Sequence, residues 1–569
     1  MRKLKCGDTC VRLRRSGSGR RILLGLVSTL IAALCLGSIA NAQTPSFTDF
    51  KSYVEWVQKQ HKAPFMRDSS LGGKPSAKAA TKTDAGKQVG AIGTGEVAPE
   101  LTTEAAVAPS TNQSVQVNQD RNPWQKVGIA TAVDPKNPKH VVVLSNDFRD
   151  GFERVFYHVS TDGGKKWTDD YLTDGGDAEL SGAPYSFQRS PKVSFDSNGN
   201  AFMTHLSGNN IINANGNGFI FFANLDTQID LIQGFKNGTY LAQKVIPIVR
   251  AGCGGTALTE VTCDEVLDMP GVTTDNNENS PNNGTTYVYY TLFCNLPPSG
   301  VCGMGPNGIP GQSSAIFEWD DGAGSDDPFM PEPRLVSGNL KNAQFSDLVI
   351  DSHGTPHIIF DDFTKFATTG EISMWESTFA NDAWVVSGSP FELFTWVGQQ
   401  NPNWNFDTRG GLAPGCTIHG DMAYCAFAAN LVDGEVGDAT PTKTFLANVN
   451  TITGVGGGGL ISQQGGDHLF AWAAVSPAGN VSVGWYDDRN DPSGQQLQYF
   501  VSTATDGGLG FGPSQPLTSL FNPCAGVPDC EYFGDYDQLA EGPDGVVHAT
   551  WAETRDAVSM QIFSEAIQP

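Results

Sequence analysis

Four phrases of this 569-residue sequence close on carboxylates, and three of them carry an arginine two positions further on: Asp147-Phe148-Arg149, Asp361-Asp362, Asp487-Asp488-Arg489 and Glu553-Thr554-Arg555. A fifth, Phe533-Gly534-Asp535-Tyr536, sets a phenol beside a carboxylate. Arginines hold a sugar acid through paired N–H donors, and close carboxylates split their proton affinities so that one serves as acid and the other as base. A phenol next to a carboxylate is a candidate nucleophile or proton relay. The candidate catalytic set is therefore Asp535, Tyr536, Asp487 and Glu553, and the candidate substrate-binding set is Arg149, Arg189, Arg409, Arg489 and Arg555. The competing reading of the same residues is a set of salt bridges that tie strands together.

Each phrase ends a repeated unit. An apolar strand is followed by Asp or Pro with a Gly about three residues later, and then by a second apolar strand, as in "PKVSFDSNGNAFMTHL", "SDLVIDSHGTPHIIFDDF", "AWAAVSPAGNVSVGWYDDR" and "QLAEGPDGVVHATWAETR". With Asp134, Asp196, Asn282, Asp351, Gly415, Ser476 and Asp544 as anchors, the steps are 62, 86, 69, 64, 61 and 68 residues. Strand-pair repeats of that size predict an all-β propeller with one four-stranded blade per repeat. Seven blades follow from the anchors, six being the alternative count, and a β-sandwich with insertions is the other arrangement weighed. The last anchor leaves too little chain for a full blade, so the segment near Gln113 to Val117 is expected to supply the missing strand. In such a ring, residues before the first strand of a blade and after its second strand share one face. Arg189, Asp347, Arg409, His468 and Asp535 with Tyr536 then meet Asp147, Arg149, Asp361, Asp362, Asp487, Arg489, Glu553 and Arg555 at one funnel.

The phrase "STDGGKKW" has Ser160, Asp162, Gly164 and Trp167 at the spacing Ser-x-Asp-x-Gly-x-x-Trp, and a degenerate copy keeps Asp506, Gly508 and Phe511. Physically this is a hairpin lock: the Asp caps turn N–H groups, Gly takes a backbone angle closed to other residues, and the aromatic fills the gap between blades. The spacing resembles the Asp-box of sialidase-like propellers of secreted bacterial type, and the resemblance runs from about Asn122 to the end. It implies three arginines on a substrate carboxylate, a Tyr–Glu nucleophile and an Asp acid/base. The family's Phe/Tyr-Arg-Ile-Pro motif is absent here, and the Glu has no assignment. Geometry puts this turn between strands three and four, on the face away from the funnel, where its role is structural.

The N-terminus reads as an exported protein's. Residues 1–42 combine eight basic residues, the apolar run Ile22–Gly37 and a small-x-small ending at Ala42, which predicts a signal peptide. Residues 43–117 hold one amphipathic stretch, Thr48–Gln60, and an Ala/Thr/Gly/Lys-rich linker or pro-segment, so the propeller spans 118–569. Cleavage leaves 28 basic against 60 acidic side chains, a net charge of −32, which disfavours nucleic acid and anionic membranes as partners. No later segment is long and apolar enough to span a bilayer. The eight remaining cysteines fall into the couples Cys253/Cys263, Cys294/Cys302, Cys416/Cys425 and Cys524/Cys530, read as local disulfides. No cofactor motif is present; the acidic loops Thr273–Gly284 and Asp320–Pro328 offer oxygen ligands suited to structural calcium, and the metal content is otherwise open. The sequence therefore predicts a secreted or periplasmic monomer acting on an extracellular glycan, most simply by glycoside hydrolysis. A non-catalytic glycan- or protein-binding propeller and a polysaccharide lyase are the alternatives.

Overall fold

The computed structural model describes residues 114–149, 153–172, 187–210, 225–236, 239–251, 265–294, 312–321, 333–365, 371–387, 394–397, 413–429, 442–462, 465–508, 510–527 and 533–568. The leader, the Thr48–Gln60 stretch, the linker up to residue 113, Arg409, Cys253, Cys263, Cys302, Cys530 and most of the Asp320–Pro328 loop lie outside them.

Among the described residues every regular element is a strand. After β1 (Val115–Gln116), the first blade is β2 (Lys126–Asp134), β3 (Asn137–Asp147), β4 (Arg154–Ser160) and β5 (Thr168–Tyr171). The second is β6 (Phe187–Phe195), β7 (Asn200–Asn210), β8 (Leu225–Lys236) and β9 (Thr239–Ala251); the third is β10 (Glu265–Thr274), β11 (Thr286–Cys294), β12 (Ser314–Asp320) and β13 (Arg334–Leu335). The fourth is β14 (Ala343–Ile350), β15 (Pro356–Asp362), β16 (Glu371–Ala380) and β17 (Ala383–Val386), with β18 (Phe394–Val397) also paired to β16. The fifth is β19 (Gly415–His419), β20 (Met422–Ala429), β21 (Lys443–Asn450) and β22 (Gly456–Leu460), and the sixth β23 (His468–Val475), β24 (Val481–Asp487), β25 (Gln498–Ala504) and β26 (Gln515–Pro516). The seventh is β27 (Leu539–Glu541), β28 (Val547–Glu553), β29 (Gln561–Ile567) and, returning from the N-terminal side, β1. The fold is thus the seven-bladed propeller that the anchors predict, and six is excluded.

Strand sequence follows position in the blade. The second strand is covered on both faces by neighbouring blades, so β24, VSVGWYD, and β28, VHATWAE, are buried at every residue and read as nearly continuous apolar runs. The outer β5, TDDY, and β22, GGGGL, are largely exposed.

Turns between first and second strands explain the repeat. Asp196 accepts the N–H groups of Asn198 and Asn200, both at 2.8 Å, and Asp351 those of His353 and Thr355 at 2.9 and 2.8 Å. Gly199 and Gly354 complete these turns at φ 77° and 79°, a region that a side chain disfavours. Two anchors are misplaced. In the third blade the turn begins at Asp275 rather than Asn282, because the loop is lengthened; in the fifth it is the two-residue hairpin Gly420-Asp421 rather than Gly415, which instead opens β19.

Ring closure occurs through β1, whose Val115 and Gln116 stand opposite Ser564 and Phe563 of β29. The Val117 N–H donates to the Ile562 carbonyl at 2.8 Å, and Val117 is fully buried. Without β1 the outer edge of β29 would present unpaired backbone groups.

Candidate functional site

Five innermost strands share one irregularity, and it aims side chains at the channel. One extra residue bulges between Val127 and Ala130, Arg189 and Lys192, Asp268 and Gly271, Gln344 and Ser346, and Leu469 and Trp472. Each bulge contains a left-handed residue: Gly128, Ser190, Met269, Phe345 and Phe470, at φ between 48° and 63°. Gly534, at φ 114°, takes the matching place ahead of β27. Four of these six carry side chains, at a cost on the order of 1 kcal/mol each, which surrounding structure must offset.

Two residues past the left-handed one come Ala130, Lys192, Gly271, Asp347, Trp472 and Tyr536, from six different blades. Four of them meet. Lys192 Nζ lies 4.2 Å from the centre of the Trp472 ring and 3.7 Å from that of Tyr536, the rings themselves being 6.1 Å apart. Burial lowers the Lys192 amine to about 7, against the opposing pull of Asp347 and Asp535. At Gly271 a Cβ would stand 2.0 Å from the Tyr289 ring, so the missing side chain admits Tyr289, whose hydroxyl donates to Asp347 Oδ1 at 2.8 Å. The Cys416 N–H donates to Asp347 Oδ2 at 2.9 Å. Burial nevertheless raises the Asp347 carboxyl above its ordinary range, opposed by Lys192 and these donors. Beside the cluster a cavity of about 310 Å³ is lined by Lys192, Thr273, Tyr289, Asp347, Cys416 and Trp472 among others.

Of the sequence-predicted catalytic residues, Asp535 and Tyr536 lie at this centre. Asp535 is half-buried and acts on Lys192 electrostatically. Tyr536 donates its hydroxyl to the Pro191 carbonyl at 2.8 Å, which pins the β6 bulge, and burial raises its phenol well above the usual value. Asp487 and Glu553 sit elsewhere, at the ends of second strands. Asp487 is fully buried: it accepts Arg489 Nε at 2.6 Å and lies 2.9 Å from His468 Nε2. The Thr444 N–H donates to His468 Nδ1 at 3.0 Å, which leaves the proton of the neutral ring on Nε2, facing Asp487. Glu553 accepts Arg555 Nε at 2.7 Å, and burial raises it to about 7 despite Arg555.

The arginines repeat one arrangement. Arg149 pairs with Asp147 at 2.6 Å and lies 4.0 Å from the Phe156 ring; Arg489 pairs with Asp487 and lies 4.3 Å from Phe500; Arg555 pairs with Glu553 and lies 3.8 Å from Phe563. In each case the guanidinium folds from the end of the second strand onto an aromatic of the third strand of its own blade. Arg149 also reaches Asp120 and Asp169 at 3.0 and 2.9 Å. Arg189 is buried with its guanidinium 4.9 Å from the Phe187 ring. The fourth blade has Thr364 where these blades have arginine, and its hydroxyl donates to Asp362 at 2.6 Å; Asp361 is fully buried, and burial with Asp362 beside it raises it well above the carboxylate range.

The Ser160–Trp167 turn lies at the far end of its blade: Arg154 of β4 stands opposite Asp147, and Ser160 opposite Val141. The Gly164 N–H donates to Ser160 Oγ at 2.8 Å, Asp162 accepts the Lys165 and Lys166 N–H groups at 3.0 and 2.9 Å, and Trp167 is buried. Gly164 abuts His548 of the seventh blade, and Gly508 abuts Tyr424 and Leu446 of the fifth. In the second copy Asp506 accepts the Gly510 N–H at 2.9 Å, and Phe511 bridges to Ala504.

Cys416 and Cys425 form a disulfide across β19 and β20, directly opposite in register. Cys524 is also disulfide-bonded. In the Thr273–Gly284 loop, Asp275 accepts Asn277 N–H at 3.0 Å and Asn282 donates to the Gly354 carbonyl at 2.8 Å, so its polar groups stitch neighbouring blades. Among the described residues, Asp351, His353 and Asp421 place ligand-type atoms within 4.8 Å of one another, but Asp351 already caps its turn and Asp421 accepts the Ser352 hydroxyl at 2.5 Å. No helix of the described residues is long and apolar enough to cross a membrane.

No protein-family model and no curated protein matches the chain. Among solved structures it is similar to a Hadza microbial sialidase, at 10% identity over 76% of this chain and 74% of that one, TM-score 0.40. An ulvan lyase is similar at 11% identity over 80% and 96%, TM-score 0.40, and a Penicillium chrysogenum α-L-arabinanase complexed with arabinobiose at 10% over 80% and 99%, TM-score 0.38. Likeness at this level carries no residue role onto this chain.

Proposed function

We propose that the protein is an exported propeller that acts on an extracellular glycan at its channel centre, and that its reaction is glycoside hydrolysis. The observation that supports this reading is the convergence of Lys192, Asp347, Asp535, Trp472 and Tyr536 beside a cavity, drawn from four separate parts of the chain. Asp347, its carboxyl raised by burial, suits the donor of a proton to the departing glycosidic oxygen. Asp535, less buried and across Lys192, suits the ionised partner, and Lys192 steadies the charge between the two. Tyr536 serves as anchor of the bulge rather than as nucleophile, because its hydroxyl is committed to Pro191.

A second reading, a glycan-binding propeller without catalysis, draws on the arginines. Arg149, Arg489 and Arg555 are each engaged by a carboxylate and an aromatic ring of their own blade, as scaffold residues would be. Incubating the full chain with a panel of complex glycans and assaying released sugars separates the two. Hydrolysis predicts release that Asp347→Asn lowers by about 10²–10⁴-fold. Binding without release favours the second reading, and products with unsaturated ends would mean elimination instead.

A further inference from the structure

Resting on the glycan-acting reading above, we infer that the channel cavity takes an uncharged sugar, and that Lys192 sets this specificity by donating hydrogen bonds to its hydroxyl oxygens. The Lys192 side chain is 8% exposed, yet its Nζ has no hydrogen-bond or ion-pair partner among the described residues. Its close neighbours are the faces of Trp472 and Tyr536, which attract a cation but leave the N–H donors of an ammonium unmet. Lys192 also lines the cavity, at about 310 Å³ the low end of the range for small-molecule sites. A buried donor set open to a cavity calls for oxygen acceptors from a ligand.

Charge decides which oxygens. Of the ionisable side chains on the cavity wall, Lys192 is the one base and Asp275 and Asp347 are the acids, Asp347 bearing its proton in the reading above, and Asp535 bears on Lys192 from outside the wall. Among the described residues no arginine lines the cavity. A sugar carboxylate or sulfate brought to Nζ would meet the ionised Asp535 as well, in a chain whose net charge is already −25. A sugar hydroxyl accepts from Nζ while donating to a carboxylate, and so satisfies both signs at once. Thr273, Thr274, Asn276 and Gln538 continue the wall with neutral polar groups of the same kind.

The test is calorimetric titration of the full chain at neutral pH with matched pairs, xylohexaose against hexagalacturonate and lactose against sialyllactose, repeated with Lys192→Met. Binding of the neutral member of a pair, weakened roughly tenfold or more by Lys192→Met, is expected, with the acidic member bound more weakly by the wild type. Tighter binding of the acidic members, or neutral binding undiminished in a folded Lys192→Met, overturns the substrate class while leaving glycan action standing. Absence of binding to any sugar overturns both. Should Lys192→Met fail to fold, the neutral-against-acidic comparison on the wild type still decides.

Discussion

Two fully buried carboxylates, Asp487 and Asp537, take opposite proton affinities, and the charged and hydrogen-bonding neighbours of each account for the difference. Burial alone would raise Asp487, but His468 and Arg489 hold it well below the usual range. Asp537 is equally buried, accepts from Tyr486, Ala552 and Ile129, and has no cation beside it among the described residues; burial raises it from 3.8 to about 7. Its folded state therefore binds a proton more tightly than the unfolded chain, so its contribution to stability is complete below pH 3.8 and is lost as pH rises through about 7. Thermal melts of Asp537→Asn against wild type should show the wild type losing stability relative to the variant across that window; parallel curves would contradict this. Arg489 makes the complementary case. Arg489→Ala leaves Asp487 buried with His468 alone, and should cost about 3 kcal/mol in denaturant unfolding. Loss of sugar release without loss of stability would return this arginine to the site.

At the level of elements, β1 closes the ring and the inner-strand bulges aim side chains at the channel. Deleting the chain through Val117 exposes the outer edge of β29, and light scattering should then show association or aggregation with a lowered melting temperature. An unchanged molecular mass with an unchanged melt would mean that the ring is closed by other contacts. The repeat spacing made blade number and the need for β1 legible, because turn chemistry at Asp134, Asp196, Asp351 and Ser476 is local and leaves a periodic trace. Ser160 to Trp167 was legible for the same reason, and strand direction placed it away from the channel. The channel layer was not legible. Ser190, Met269, Phe345 and Phe470 adopt left-handed backbone without glycine, so composition does not mark them. The one available signal was Pro191 and Pro270 inside apparent inner strands, where proline implies a bulge. Arginines after Asp147, Asp487 and Glu553 were legible as a recurring pattern, but not their stacking on Phe156, Phe500 and Phe563, which depends on register with the third strand.

Over the whole molecule, seven blades turn one local irregularity into a shared site. A bulge in one strand re-aims one side chain; repeated around a ring, it brings Lys192, Asp347, Trp472 and Tyr536 from four blades to the channel, while the end-of-strand arginines pair with carboxylates and rings of their own blades. The central claim is that glycan is processed at this layer and not at the ring of arginines. It is tested most directly by the rate of sugar release from a glycan panel, measured for the full chain, Asp347→Asn and Arg489→Ala at equal concentrations of folded protein. Release by the wild type, its loss by about 10²–10⁴-fold in Asp347→Asn, and its retention in Arg489→Ala are expected. Release that survives in Asp347→Asn and disappears in Arg489→Ala, or no release from any glycan, would contradict that claim.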